Sequence, residues 1–336
     1  DLIFFGHDHT RHAETVTAAD GSEVLCLDPA NNAVSVADAS ITMVKKDGRW
    51  QKTEVKGDLK DITGEDADTA YLSHFQPQTD KVNEFVNRQI GVFANTVTTR
   101  DCFFGSSAFN DFILNLQLQI TGADIAFNAP LAFDAEIKKG PVHVSDMFNL
   151  YKYENQLYVM ELKGREIHDH LEMSYDQWVN TMKSPADHLM LFSERTRGDQ
   201  QRIGFKNMTF NFDSAAGIDY VVDVTKPDGE KVKILQMTNG KPFDEGRVYR
   251  VAVNSYRGNG GGELLTKGAG IPRDSLQSRV VWRSDRDQRF YLMQEIEKQG
   301  LADPKANDNW RFIPEAWTKP AADRDRELLF GQKGSN

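Results

Sequence analysis

The sequence has 336 residues, room for one large domain or two ordinary ones, and its 39% hydrophobic and 27% charged residues exclude wholesale disorder. A net charge of −10 with scattered basic residues excludes a nucleic-acid polymer as partner, although a single nucleotide needs only one or two arginines. No apolar run reaches the ~20 residues of a membrane-spanning helix.

The chain opens on an apolar run, Leu2-Ile3-Phe4-Phe5, that ends in Gly6 and is followed by His7, Asp8 and His9. A glycine at a strand end allows a sharp turn, so imidazoles at i and i+2 can face one cavity, and neutral imidazole suits Zn, Mn, Fe or Ni. Two histidines are fewer than the three or more ligands of a hydrolytic metal site. Up to Gly64 short alternating strands follow, with Asp47-Gly48 as a hairpin turn, and residues 1–64 read as the trailing part of a β-rich domain. A charged linker, GDLKDITGEDADTAY, leads into a helical pattern through TDKVNEFVNRQIG, with Val82, Phe85 and Val86 on one face and Ile90 continuing it. Residues 65–92 are thus expected to be a linker-helix region.

IGVFANTV reads as the next strand, and from there helices and strands alternate. Ser106 or Ser107 is placed to cap a helix with Phe109, Phe112, Ile113 and Leu116 on its apolar side, ended by Thr121-Gly122. ADIAFN and QLYVMEL read as strands, and Gly164 precedes a helix carrying Ile167, Leu171, Tyr175 and Trp178. Between Gly204 and Asn254 the segments FKNMTFNF, DYVVDVTK, KVKILQM and VYRVAVN read as strands, with turns at Pro227-Asp228-Gly229 and Asn239-Gly240. RFYLMQEIEKQG is expected to be the final helix, ending at Gly300. The fold class is α+β, a mixed or antiparallel sheet carrying helices. Cys26 and Cys102 show no metal or redox spacing and are expected to be buried free thiols.

An apolar strand followed by G-H-D-H resembles the last ligand motif, G-H-x-H, of the calcineurin-like metallophosphoesterases. The resemblance implies that His7 and His9 each bind one of two divalent metals, Zn, Mn or similar, which clamp a phosphate and activate a water. The family's earlier motifs, D-x-H, G-D-x-x-D and G-N-H-E, occur at no workable position. The remaining ligands are therefore expected in an upstream domain of the same parent protein. No catalytic residue is assigned within the chain, and alone it is expected to be nearly inactive.

Residues 93–315, with SSAFNDFILNLQLQITGADIAFNAPLAF and YRVAVNSYRGNGGGELL, resemble the C-terminal domain of bacterial 5′-nucleotidases, nearest to the branch of 2′,3′-cyclic-nucleotide phosphodiesterases. This implies a layered substrate-binding domain over 93–330, in an exported, periplasmic or cell-surface enzyme of nucleotide catabolism. It also implies a nucleobase held between two rings, Tyr153 of Tyr153-Glu154-Asn155 and Tyr256 ahead of Gly260, Gly261 and Gly262, with the Asn155 amide at a base edge. Stacking of this kind contributes ~1–3 kcal/mol per base. Glu263 follows the glycines, and Arg100 and Arg257 are candidates to face the phosphate.

Two positions depart from the family pattern. Phe133 stands where an arginine is usual, and Gly262 where an aspartate is usual. A lost cation costs a dianion more than a singly charged diester, which favours 2′,3′-cyclic or 3′-nucleotides over 5′-monophosphates. The alternative reading is a non-catalytic nucleotide- or ligand-binding module. His168 and His170 lie about 200° apart on a helix and cannot share a metal. Asp187-His188 and the helix-capping Ser106 and Ser107 read as structural.

Overall fold

In the computed structural model residues 1–197 and 200–331 are described, and the chain divides into two compact units, Asp1–Lys81 and Val82–Asn336. In the first unit the strand Glu23–Pro29 pairs in parallel with Leu2–Phe4 on one side and antiparallel with Arg11–Thr17 on the other. A long hairpin joins Ser35–Lys46 to Arg49–Asp61. Its turn is Asp47-Gly48, with φ of 50° and 77°, and this all-positive pair matches the right-handed twist of the flanking strands. The second hairpin strand runs to Asp61, so the first residues of the expected linker are strand instead.

Helix α1, Thr69–Val86, crosses the boundary between the units and carries no buried residue. It starts well before the expected helix and stops short of Ile90. That residue is buried in the strand Gln89–Phe93, which pairs with Gly140–His143 and Leu301–Ala302. Sheet pairing on both sides overrides the helical period there.

Seven further α-helices appear in the second unit among the described residues: α2 (Thr99–Cys102), α3 (Ala108–Thr121), α4 (Asp146–Leu150), α5 (Gly164–Trp178), α6 (Ser255–Gly258), α7 (Gln288–Gln299) and α8 (Glu315–Phe330). The central sheet has the order Ser214–Ala216, Ile125–Asn128, Val248–Asn254, Gln156–Lys163, Val280–Asp287. Ile125–Asn128 and Val248–Asn254 are parallel and the other neighbours antiparallel, so the sheet is mixed and the fold is α+β, as expected.

Ile167, Leu171, Tyr175 and Trp178 recur on one face of α5 and are all buried. Trp178 stacks on Phe212 at 5.3 Å and 3°, and the Tyr175 and Tyr220 hydroxyls meet at 2.8 Å. Buried aromatics of this size dominate core energetics, and a paired hydroxyl removes the cost of burying the polar tip. Helix α3 buries Phe109, Ile113 and Leu116 in a second cluster with Phe93, Leu292 and Ile296. Ser107 caps it by accepting from the Asn110 N–H, and Gly122, at φ 58°, closes it. Cys26 and Cys102 are buried free thiols.

Two sequence expectations are corrected. FKNMTFNF is not one strand: the strand ends at Phe205, Thr209–Asn211 is a 3-10 turn, and Ser214–Ala216 follows. The carbonyls of Phe210 and Asn211 are taken by the side chains of Arg257 and Ser174, not by a neighbouring strand. Nor is α7 the last helix, because α8 follows. The buried Asp325 carboxylate of α8 accepts from the Leu189 and Met190 N–H groups and pairs with His188 at 2.5 Å. His188 therefore has a partner that lies 137 residues away.

Candidate functional site

Strand register builds one concave site. Leu157 pairs with Asn254, so the entry to one central strand, with Tyr153 and Asn155, lies beside the exit of the next, with Asn254 and Tyr256. Ile125–Asn128 runs parallel to that second strand and delivers Leu131 to the same sheet end. Ser214 pairs antiparallel with Asn128, which returns Phe210 there as well. These six residues line a cavity of about 190 Å³. It is smaller than the ~300–1,000 Å³ that encloses a whole drug-sized ligand, and suits one flat ring system.

Tyr153 and Tyr256 are 42% and 41% exposed, far more than the buried tyrosines of the core, so each keeps a ring surface free. Phe210 meets the Tyr256 ring edge-on at 5.9 Å and 88°. The Asn254 side chain caps α6 by accepting from the Arg257 N–H at 2.8 Å. The Asn155 amide donates to the Tyr151 hydroxyl at 3.4 Å, and burial pushes that phenol well above its usual range.

The glycine loop fits tightly beneath Tyr256. A Cβ on Gly261 would sit 2.5 Å from the Tyr256 ring, and Gly260 and Gly262 take φ of 87° and 68°. Glu263 lies outside the cavity lining and pairs with Lys267 at 2.7 Å. Arg257 does not face the cavity. Its guanidinium is buried, gripping Asp213 through Nε at 2.8 Å and Nη2 at 3.0 Å. Arg100 forms a bidentate pair with Asp134 at 2.6 and 2.8 Å and lies 5.3 Å above the Phe330 ring. Phe133 packs on the same ring at 5.0 Å.

Leu131 and Asn254 lie within the family-like segments without being singled out there, and Phe210 lies outside them. The available signal was the pair of phenylalanines two apart, Phe210 and Phe212, one facing the cavity and one buried in the core.

His7 and His9, in the first unit, follow the strand Leu2–Phe4 in an exposed turn with φ of 90° and 62°. Positive φ at two successive imidazole positions is a strained arrangement of the kind that concentrates at functional sites. Among the described residues no group of three or more His, Cys, Asp or Glu side chains could hold a metal ion. The pair fits as part of a donor set and falls short of a whole one.

The second unit is thus an α+β domain with an aromatic-lined cavity at one end of its central sheet. Residues 89–267, just over half of the chain, match the family model of the 5′-nucleotidase C-terminal domain, and the chain belongs to that family. It is 25% identical to the trifunctional nucleotide phosphoesterase protein YfkN of Bacillus subtilis, over 88% of this chain and 22% of that protein. It is also 25% identical to the 2′,3′-cyclic-nucleotide 2′-phosphodiesterase/3′-nucleotidase of Salmonella typhimurium, over 94% of this chain and 54% of that enzyme. The chain thus spans about half the length, or less, of these curated relatives. A solved Staphylococcus aureus structure superposes over 93% of this chain and 56% of its own, with a TM-score of 0.65 at 18% identity. A 5′-nucleotidase precursor from Thermus thermophilus does so over 94% and 59%, with a TM-score of 0.55 at 21% identity. Both confirm the fold.

Proposed function

We propose that this chain is the substrate-recognition part of a nucleotide phosphohydrolase of the 2′,3′-cyclic phosphodiesterase/3′-nucleotidase or 5′-nucleotidase type. The observation that carries the reading is the convergence of four strand ends on a ring-sized cavity bearing Tyr153, Tyr256 and Phe210. Every base offers a π-face, so stacking on tyrosine holds nucleotides while tolerating base identity. Asn155 and Asn254 present amides to the base edge, and Gly260 and Gly261 keep the loop close enough to seat Tyr256.

His7 and His9 are two ligands of a two-metal centre, and an upstream metallophosphoesterase domain of the parent supplies the others. The metals, when bound, supply Lewis-acid stabilisation of the developing phosphoryl charge. The role of this chain is to bind the base and fix its orientation. An exported, periplasmic or cell-surface location of the parent goes with this reading.

Calorimetric titration of the chain with adenosine, AMP and 2′,3′-cyclic AMP tests the reading. Adenosine binds the wild type, and Tyr153→Ala with Tyr256→Ala abolishes that binding, since each stack contributes ~1–3 kcal/mol. Unchanged affinity in the double variant would sink the base-pocket assignment.

A further inference from the structure

The family resemblance makes Arg257 a candidate to face the phosphate, yet its guanidinium is buried outside the cavity lining, 5.7 Å from the Tyr256 ring centroid. All three of its nitrogens are engaged. Nη2 donates to the Phe210 carbonyl at 2.8 Å, and Nη1 to the Gly261 carbonyl at 2.6 Å and the Asn211 side-chain oxygen at 3.3 Å. Nε and Nη2 hold Asp213, whose other hydrogen-bond partner is the fully buried His170 at 2.8 Å. Phe210 is one wall of the cavity, and Gly261 lies directly under Tyr256, another wall. One planar fork therefore ties the backbones of two walls that lie on separate segments of the chain.

We propose that Arg257, anchored by Asp213 and His170, is the positioning residue of the ring pocket: it sets the edge-on spacing of Phe210 and Tyr256 that a bound base meets. The proposal rests on the base-pocket reading. A side chain with three fixed donor directions can hold two carbonyls and a carboxylate at once, which a lysine ammonium on a flexible stem cannot do in the same geometry. It also accounts for Gly262. A Cβ there would lie 2.0 Å from the Asn211 side-chain oxygen and 2.4 Å from Arg257 Nη1. The Asn211 side chain and the guanidinium that it accepts from together occupy the space that a side chain at 262 would need.

The test is calorimetric adenosine binding by the full 336-residue chain, with thermal unfolding recorded in parallel. Arg257→Lys keeps the charge facing Asp213, so the chain stays folded, yet adenosine binding weakens about tenfold or more, a loss of at least ~1.4 kcal/mol. Gly262→Ala, which leaves every charge in place, weakens binding in the same way by displacing Nη1. Where Arg257→Lys fails to fold, Arg257→Met with Asp213→Asn removes both charges together and carries the same expectation. Wild-type adenosine affinity in folded Arg257→Lys, or in the folded double variant, would show that Arg257 only neutralises Asp213, and would overturn the proposal. Tyr256→Ala separates the two readings. If it loses adenosine while the Arg257 and Gly262 variants do not, the pocket stands and the positioning role falls. If Tyr256→Ala binds as the wild type does, the base-pocket reading itself fails.

Discussion

Single residues here are explained less by their type than by what already holds them. Arg100 has the charge to meet a phosphate, but Nε and Nη2 along one edge of its guanidinium are on Asp134 and its Cζ lies over the Phe330 ring. Phe133, in the place of the expected arginine, belongs to the same aromatic group. This corner of the domain is a half-exposed ion-pair and ring contact in which Asp134 already occupies two guanidinium nitrogens. Arg100→Ala is therefore expected to leave the ratio of AMP to adenosine affinity unchanged. Because both members of the pair are around two-fifths exposed, the substitution costs no more than about 1 kcal/mol of stability. Titration of the variant with both ligands checks this, and a selective loss of AMP would place Arg100 on the phosphate after all.

Between residue and molecule, the elements show what local pattern can and cannot reveal. The Asp47-Gly48 turn, the Ser107 and Gly122 caps of α3 and the buried face of α5 were legible because each is set by residues within one or two turns of one another. Tyr153, Asn155 and Tyr256 were legible because a family pattern marks them at strand ends. Phe210 was not, since its membership of the cavity depends on the pairing of Ser214 with Asn128, which no local signal fixes. Arg257 with Asp213, and His188 with Asp325, are likewise pairs separated by 44 and 137 residues. Helix α8 has little local signal, because its polar stretch, with Pro320 inside, has a weak apolar stripe and it buries the Asp325 carboxylate. Asp325→Ala would leave the buried N–H groups of Leu189 and Met190 without their acceptor. An unsatisfied buried donor costs ~1–3 kcal/mol, so urea unfolding should show a loss of at least ~2 kcal/mol. A loss below half of that would mean that hydrophobic packing alone holds the helix.

Stability is a property of the whole molecule, and the network behind the pocket makes it depend on pH in a defined direction. His170 is fully buried and stacks on Phe127 at 4.2 Å and 7°. Burial holds its imidazole below the ordinary value of 6.5, against the opposing pull of Asp213. In the unfolded chain the same imidazole takes up a proton near ~6.5. Between that value and the lower folded one, the unfolded state binds more protons, so stability falls as pH falls through the window. Asp213 does not blur this. Burial works to raise it, but the Arg257 charge and His170 outweigh burial and hold it below the usual carboxylate range, so it loses its contribution only at lower pH still. Thermal midpoints measured from pH ~8 to pH ~5 should fall more steeply in the wild type than in His170→Gln, which keeps a donor for Asp213 but cannot titrate. The wild-type advantage should therefore shrink on acidification. If the two curves stay parallel across that range, His170 carries a proton in the folded state as readily as in the unfolded one, and the buried network must be read as a doubly charged clamp on Asp213.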